Sequence, residues 1–406
     1  MEGVKSIRNT PPQQAKRDRQ LFKHIVIVLY SHPEHFPPTL SAISSLSKIV
    51  EKITVLYRPS DPLEWPFPKN VELIPIGRTV PVAEQHFLSA KEKLGLFFKF
   101  FNVLRKLCNR EKPEVVLLYD PIPVAIYSFA RRFINYKPLV WYHNHDVMDA
   151  PDMKMFSTTW LAVREEPRMF PHLDIFSLPS EDRKQFFPMD KLKGQYFFLP
   201  NHPSKYFYTG EKSADRDDTV IRLIFQGQNA RNRGFEEVIS MLPLQVSGRE
   251  VHLVLKGRIT KEYKNELMNL AASKGAADKL IFLGFSSYKE LPKATASSHI
   301  GLALFTENTI MTSTIGTASN KIYEYAAAGL PILYFDTDYF RGQLGKYKWA
   351  FGTDLQKESF AKCLEHIVLN YEEVSKQARN DFEAGMNYET AFEPIKNYLK
   401  TKAKIL

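Results

Sequence analysis

The stretch "IRLIFQGQNARNRGFEEVISML", residues 221–242, joins an apolar run, a glycine-containing turn and an amphipathic segment in immediate succession. The apolar run before Gly227 is rich in Ile, Leu and Phe, as in strands that are covered on both faces of a parallel sheet. After Gly234, four apolar residues recur at i, i+3, i+4 and i+7, which is the stripe of an amphipathic helix: Phe235, Val238, Ile239 and Leu242. The stretch therefore predicts one β–α unit of a doubly wound α/β fold.

Similar apolar runs occur in two groups, and most are separated by segments long enough for crossover helices. The first group comprises residues 24–30, 52–58, 71–76, 115–120, 139–144, 175–180 and 195–201, and the second comprises 221–227, 251–257, 279–285, 300–305 and 331–336. The polar stretch "TGEKSADRDDT" at residues 209–219 indicates a linker between the groups. We therefore predict two Rossmann-like domains, residues 21–208 and 220–387, that face a central cleft. A basic disordered tail at residues 1–20 and a helix at about 388–406, packed back on the first domain, complete the prediction.

The bulk composition narrows the classes of protein. A chain of 406 residues exceeds one ordinary hydrophobic core, and its net charge of +10 suits phosphate-bearing partners or simple solubility. Cys108 and Cys363 form neither a disulfide framework nor a metal quartet, which suits a reducing compartment. The basic residues are dispersed and no nucleic-acid reader motif occurs, so nucleic acid is not expected as a partner. We expect no signal peptide in residues 1–20 and no membrane-spanning helix.

The loop after Gly227 combines a glycine, two arginines and the start of a helix. Glycine permits a close backbone approach, and free N–H groups at a helix start favour anions. Arg231 and Arg233 add positive charge, so the loop is a candidate seat for a phosphate or diphosphate. A solvated basic loop is an equal alternative, because the segment is neither a Walker loop nor a G-x-G-x-x-G motif.

A second polar cluster opens the stretch "SNKIYEYAAAGLPILYF", residues 319–335. Ser319 suits the N-cap of a helix, and Gly329 suits the position after its C-cap. Three polar residues fall within one narrow sector of the predicted helix: Asn320, Lys321 and Glu324. A carboxylate can accept hydrogen bonds from a ribose diol, while a lysine at a helix start suits phosphate. A local Lys–Glu pair on a solvated face is the alternative.

Two segments of the first half carry weaker signals. In "PLVWYHNHDVMD", residues 138–149, a strand leads directly into His143 and His145, which lie too close together on an extended segment to bind one metal ion with Asp146. In "KEKLGLFFKFFNVLRKLC", residues 91–108, four Phe alternate with Lys and Arg. That segment is a crossover helix with buried Phe side chains, or a basic amphipathic helix at a membrane surface.

With these segments together, most of residues 22–406 resembles the retaining GT-B glycosyltransferases that use nucleotide-diphosphate sugars. "FQGQNARNRGFEEVI" is similar to the family's glycine and basic-loop segment, and "NKIYEYAAAGLPIL" to its signature helix. "YHNHD" resembles the segment that brings a histidine to the donor sugar. Two positions depart from the pattern: Gly316 stands where many members have a second glutamate, and Gln228 where many have a phosphate-binding arginine.

The resemblance implies a role for each candidate residue. The catalytic set would be His145 at the donor sugar with Arg233 and Lys321 at the diphosphate. The donor-binding set would be Gly227, Arg231, Gly284, Phe285, Ser319, Asn320 and Glu324, with Glu324 on the ribose and Phe285 near the base. The resemblance implies no metal ion and no cofactor, since the nucleotide sugar is a co-substrate.

The expected activity is transfer of a sugar to a glycan or lipid-linked acceptor in polysaccharide or cell-envelope biosynthesis, with retention of configuration. The expected location is the cytoplasm, and an anionic membrane surface at the inner face of the plasma membrane stays open as a partner. Two alternatives share the cleft: a sugar-nucleotide epimerase of the same fold, and a nucleotide-sugar-binding protein without catalysis.

Overall fold

Two parallel sheets, one from each half of the chain, organise the structure. The computed structural model describes residues 20–147, 155, 157–208, 219–307 and 309–404. The predicted tail at 1–19 and nearly all of the predicted linker, residues 209–218, lie outside the described residues.

The first sheet has seven parallel strands in the order β3-β2-β1-β4-β5-β6-β7. Its strands are β1 (Phe22–Leu29), β2 (Val50–Tyr57), β3 (Val71–Pro75), β4 (Val115–Tyr119), β5 (Leu139–His143), β6 (Ile175–Leu178) and β7 (Gln195–Phe198). The helices between them are α1 (Pro37–Leu46), α2 (Ala90–Glu111), α3 (Pro121–Ala130) and α4 (Thr158–Met169). All seven apolar runs predicted in this half of the chain are strands.

The second sheet has the order β11-β10-β8-β12-β13-β14, with β9 antiparallel on β10. Its strands are β8 (Val220–Gln226), β9 (Gln245–Val246), β10 (Arg249–Lys256), β11 (Leu280–Gly284), β12 (Ile300–Ala303), β13 (Ile332–Phe335) and β14 (Ala350–Thr353). Its helices are α5 (Phe235–Met241), α6 (Lys261–Ser273), α7 (Leu291–Ala296), α8 (Ile310–Ser313), α9 (Asn320–Ala327), α10 (Asp338–Leu344), α11 (Lys357–Leu369) and α12 (Tyr371–Ala384). The sequence analysis missed β9, which has two residues, and β14, which is partly exposed and lacks a long apolar run. The predicted fold of two Rossmann-like domains is confirmed.

Helices cover both faces of the first sheet, as the uninterrupted apolar strands predict. Successive residues of β1 alternate between two cores: Val26 and Val28 face the α2–α3 side, whereas Ile25 and Ile27 face the α1 side. The last helix, α13 (Tyr388–Ala403), packs Phe392 and other apolar side chains into the core on the α1 side. The chain therefore returns to the first domain after completing the second. No described helix has the length and apolarity that crossing a membrane requires.

Three glycines form a bare backbone edge at the carboxyl ends of β8, β10 and β11. Gly227 donates its N–H to Lys256 O at 2.9 Å, and Gly257 donates its N–H to Gly284 O at 2.9 Å. Gly227, Gly257 and Gly284 have positive φ angles of 122°, 132° and 67° respectively, a conformation that residues with a Cβ atom rarely adopt. A Cβ atom on Gly257 would lie 1.8 Å from Gly227 O. The loops after these strands can therefore approach one another, and a ligand, only because side chains are missing there.

We predict that Gly257→Ala destabilises the protein more than the matched variant Gly248→Ala. Gly248 also has positive φ, at 77°, but nothing lies within 4 Å of a Cβ atom there. The control carries only the backbone cost of a left-handed residue, about 1–2 kcal/mol. The clash in Gly257→Ala adds about 1–3 kcal/mol. Urea unfolding of both variants measures the difference, and equal losses of unfolding free energy would contradict the close packing of this edge.

Candidate functional site

Arg233 and Lys321 come together around one aromatic ring beside this glycine edge. The Arg233 guanidinium carbon lies 5.2 Å from the Phe305 ring centroid, and Lys321 Nζ lies 4.9 Å from the same centroid. Lys321 Nζ also lies 4.6 Å from the centroid of the Phe225 ring. A Cβ atom on Gly227 would lie 3.8 Å from the same Nζ atom. The predicted convergence of the basic loop and the start of α9 is therefore present in the structure.

The surroundings weaken the charged form of both cations. Burial and, to a smaller extent, the neighbouring Arg233 lower the pKa of Lys321 to about 8, and Glu324 opposes the shift. Burial also lowers the pKa of Arg233, whose nearest carboxylate is Glu307 at 4.0 Å. Among the described residues Lys321 has no ion-pair partner. Two like charges so placed favour the entry of an anion.

Glu324 lies next to this cationic pair and is almost fully enclosed, with 3% of its surface exposed. Its Oε2 accepts a hydrogen bond from Gln226 Nε2 at 2.6 Å, and its Oε1 accepts one from Tyr288 OH at 2.8 Å. Burial raises the pKa of Glu324, and the two hydrogen bonds oppose that shift. The carboxylate is thus held in one orientation, and each oxygen keeps one further lone pair for a ligand.

Several buried polar atoms around Lys321 have no hydrogen-bond partner. Ser319 occupies the predicted N-cap position of α9, but its hydroxyl does not cap the helix and stays unpaired. Asn320 Oδ1 is likewise unpaired, as are both amide atoms of Asn229 in the loop after β8. Buried polar groups are normally hydrogen-bonded, so this set suits a polar ligand that brings its own donors and acceptors.

Arg231, which was predicted to lie at a phosphate, does not join the cationic pair. Its guanidinium forms an ion pair with Glu266 of α6 and lies over the ring of Tyr263, 4.9 Å from the centroid. The carboxylate on α6 holds Arg231 on the outer side of the loop. Only Arg233 of the two predicted arginines faces the start of α9.

Gly284 and Phe285, which were predicted to lie near the base, lie at the outer end of the glycine edge. Phe285 is 55% exposed, and the Arg258 guanidinium carbon lies 3.7 Å from its ring centroid. One face of the ring is therefore covered, and the other remains available for stacking. Arg258 also reaches the first domain, where its Nη2 lies 3.4 Å from Asp61 Oδ2.

His145, which was predicted to contact a donor sugar, is enclosed within the first domain. Its ring is stacked between Phe36 and Tyr119, with centroids 4.6 and 4.7 Å away. Its Nδ1 lies 3.1 Å from Asp120 Oδ2, and its Nε2 lies 3.3 Å from Thr39 Oγ1. Both ring nitrogens are thus engaged, because Asp120 at the end of β4 binds the ring and the backbone N–H of His145.

Gly316, the departure from the family pattern, is part of the contact between the domains. A Cβ atom there would lie 2.8 Å from Tyr339 OH and 3.6 Å from Ser180 Oγ, so a side chain at this position would displace the Tyr339 hydroxyl. The next residue, Thr317, donates its hydroxyl to Pro179 O at 2.6 Å and accepts from the N–H of Asn201 at 2.9 Å. First-domain residues therefore support the turn from which α9 begins.

Several residues of the site were not singled out from the sequence. Gln226 orients Glu324 and itself accepts a hydrogen bond from Thr295 Oγ1 at 2.8 Å. Lys256 is buried and donates to Ser286 Oγ at 2.7 Å. A signal existed, because Gln226 and Lys256 are polar residues that end otherwise apolar strands at the edge where ligands bind. Among the described residues, no group of three His, Cys, Asp or Glu side chains could hold a metal ion.

Comparison with known proteins agrees with this geometry. The family model described as "Glycosyl transferases group 1" matches residues 210–383, which include the glycine edge, the cationic pair and α9. No curated protein matches the chain.

Solved structures share the fold over nearly the whole chain. Sucrose-phosphate synthase from Thermosynechococcus elongatus has a TM-score of 0.68 at 12% identity and covers 94% of this chain and 100% of its own. HepE from Anabaena in complex with UDP has a TM-score of 0.61 at 13% identity and covers 93% and 100%. WaaG, a glycosyltransferase involved in lipopolysaccharide biosynthesis, has a TM-score of 0.62 at 13% identity and covers 91% and 98%. At these identities the likeness establishes the GT-B fold.

We predict that the affinity for a nucleoside diphosphate falls as the pH rises through about 8. The anion binds the charged form of Lys321, whose pKa lies at about 8 in the free protein, so affinity is highest below that value. Above it, one proton must be taken up on binding, which costs up to about tenfold in affinity per pH unit. Calorimetry between pH 7.5 and 9.5 measures this slope.

The Lys321→Met variant should bind the nucleoside diphosphate more weakly than wild type, and its affinity should no longer fall as the pH rises through about 8. Lys274→Met serves as the control, because Lys274 is exposed at the end of α6, away from the pair. The same slope in wild type and Lys321→Met would show that Lys321 is not the titrating group.

Proposed function

We propose that this protein, a glycosyltransferase of the GT-B fold whose residues 210–383 belong to glycosyl transferases group 1, transfers its sugar with retention and without a metal ion. The donor is a nucleotide-diphosphate sugar, and the acceptor is a glycan or a lipid-linked glycan. The observation that carries the proposal is the unpaired Lys321 beside Arg233 at the start of α9.

The cationic pair would bind the donor diphosphate and stabilise it as the leaving group. Cleavage of the sugar–phosphate bond develops negative charge on the diphosphate. Cations that are already placed there therefore stabilise the transition state more than the bound donor. The N–H groups at the start of α9 add to this field. Two protein cations and a helix start thus supply the charge that a metal ion supplies in other transferases, which supports a metal-independent reaction.

The nucleoside would extend from the cationic pair along the glycine edge. Glu324, oriented by Gln226 and Tyr288, would accept hydrogen bonds from the ribose hydroxyls with its remaining lone pairs. The base would lie near Gly284 on the open face of Phe285. Ser319 and Asn320 would bind the diphosphate or the sugar through their unpaired atoms.

Retention follows in this proposal from attack on the same face of the sugar that the leaving group vacates. The cations that hold the departing diphosphate keep it close to the sugar, where it can take the proton of the acceptor hydroxyl. His145 would act indirectly, since its ring nitrogens bind Asp120 and Thr39 and its position fixes the segment after β5. The first domain then supplies the acceptor wall of the cleft.

An anionic membrane surface is part of the proposal, with the protein in the cytoplasm and peripheral on the inner face of the plasma membrane. Helix α2 exposes Leu94 and Phe98, one turn apart, at 37% and 53%. Lys91 and Lys99 are exposed beside them, whereas Phe97 is buried in the first-domain core. Exposed apolar side chains with lysines beside them are suited to binding the surface of an anionic membrane.

Arg233→Met should lower turnover by about 10²-fold or more, because it removes charge from the leaving-group site. Arg231→Met is the matched control, since Arg231 is paired with Glu266 and should leave turnover near the wild-type rate. The assay follows nucleoside diphosphate release from UDP-, GDP- and ADP-sugars, with and without glycan acceptors. Equal effects of the two variants would contradict the assignment, and acceptor-free conversion of the donor would indicate an epimerase.

The double variant Leu94→Ser/Phe98→Ser should bind vesicles that contain phosphatidylglycerol about tenfold or more weakly than wild type, because it removes apolar surface from the interface. Met268 and Leu369 are exposed apolar residues of the second domain, and the control variant changes both of them to Ser. Flotation with anionic and with neutral vesicles measures binding. Unchanged flotation of the α2 variant, or equal loss in the control, would refute a membrane-binding α2.

A further inference from the structure

Arg58 directly follows β2 at the carboxyl edge of the first sheet. Its backbone N–H donates to Ser31 O at 3.3 Å, which fixes it between the ends of β1 and β2. Only 8% of its surface is exposed. In open α/β sheets this edge is where ligands bind, so Arg58 belongs to the edge of the first domain that borders the predicted cleft.

The guanidinium has no counter-charge among the described residues. Its Nη2 is buried without a hydrogen-bond partner, and the nearest aromatic group is the Tyr30 ring, 5.7 Å from the guanidinium carbon. The Tyr30 hydroxyl donates elsewhere, to Lys93 O at 3.2 Å. Asp61, the carboxylate nearest in sequence, is engaged by His35 and Arg258.

A buried guanidinium without a carboxylate is costly, and proteins normally pair such a charge. Arginine presents N–H donors in a planar fork that matches the two oxygens of a carboxylate or phosphate. An anion from outside the protein would satisfy the unpaired Nη2 and neutralise the charge. Arg58 therefore has the chemistry of an oxyanion-binding residue.

This anion would be distinct from the donor diphosphate. The donor's cations, Arg233 and Lys321, belong to the second domain, whereas Arg58 belongs to the first. Asp61, three residues after Arg58, contacts Arg258 of the second domain, so this segment borders the cleft. The first domain is the acceptor wall of the proposed reaction.

We propose that Arg58 binds an oxyanion of the acceptor, a phosphate or a carboxylate, and hence that this glycosyltransferase acts on an acidic acceptor. The inference rests on the proposed function, because it takes the first-domain wall as the acceptor side. A phosphate from a lipid-linked or phosphorylated glycan and a carboxylate from an acidic sugar offer the same planar pair of oxygens.

The test compares neutral galactose with two anionic sugars that each differ from it in one group. These sugars are galactose 1-phosphate and galacturonate. Thermal shifts of the full chain are recorded with each sugar, with and without the nucleoside diphosphate that binds best. One or both anionic sugars should stabilise wild type, and galactose should not. Arg58→Met should weaken anionic-sugar binding by about tenfold to a hundredfold, since a hydrogen-bonded ion pair is lost.

Arg58→Met should also melt no lower than wild type without ligand, because it removes an unpaired buried charge and keeps the stem. Arg58→Lys retains charge without the fork and should bind the anionic sugars with intermediate strength. Arg78→Met, which removes an exposed arginine paired with Glu92, should respond as wild type does.

The proposal is overturned if no anionic sugar stabilises wild type, if galactose does so equally, or if Arg58→Met keeps the response. Which anionic sugar acts distinguishes a phosphate from a carboxylate. The nucleoside diphosphate is tested on the same samples. Its failure to bind would contradict the proposed function, whereas its binding without an anionic-sugar response contradicts only the role of Arg58.

Discussion

Two positive charges share one aromatic ring at the start of α9, and the chemistry of the second domain depends on how that repulsion is relieved. The charged groups of Arg233 and Lys321 lie 5.2 and 4.9 Å from the centroid of the Phe305 ring, at a partly buried site. The buried carboxylate of Glu324 opposes the shift in the pKa of Lys321, but it forms no ion pair with Lys321 within the described part of the chain; its oxygens accept hydrogen bonds from Gln226 and Tyr288. In the proposed reaction a diphosphate would gain twice on entering the site, through its own attraction to the cations and through removal of the repulsion between them. More negative charge on the leaving diphosphate would increase that gain, which is the condition for catalysis as well as binding.

The cationic pair acts on a ligand only if the start of α9 stays in place, and the first domain provides part of that support. Asn201, which follows β7, donates to the backbone oxygens of Thr317 and Ala318 at 2.9 and 2.8 Å. Tyr339 of α10 donates to Asp182 across the same contact at 3.0 Å. Gly316 permits this approach, since any side chain there would meet Tyr339. The glycine at position 316 therefore goes together with the tight contact between the domains.

The sequence predicted those features that depend on residues close together in the chain. Continuous apolar runs identified twelve strands, and the end of α9 was clear because Gly329 adopts the left-handed conformation required there. Arg233 and Lys321 were found because each sits beside a glycine or a helix start. The partners of Arg231 and His145 were not predicted, because Glu266 and Asp120 lie 35 and 25 residues away and no local pattern reveals which carboxylate will contact which side chain. Arg58 escaped notice for the same reason, since a missing partner leaves no trace in a sequence.

The positive charges of the cleft are divided between its walls, and Asp61 lies where the two walls meet. Arg258 of the second domain reaches Asp61 through a partly exposed ion pair, and pairs of that kind contribute only about 0–1 kcal/mol. The contacts of Asn201 and Thr317 are one backbone hydrogen bond and two hydrogen bonds from side chains to backbone oxygens, and they lie in a less exposed region, so they are the more durable of the two sets. In the proposed reaction the weaker contact would open when the domains move, while the domain junction beside α9 would persist. Such a motion would widen the cleft between Arg58 and the cationic pair, where the two anionic substrates would enter. Closure would then bring both bound anions together with the charges of both walls neutralised, so the domains would not have to overcome mutual repulsion.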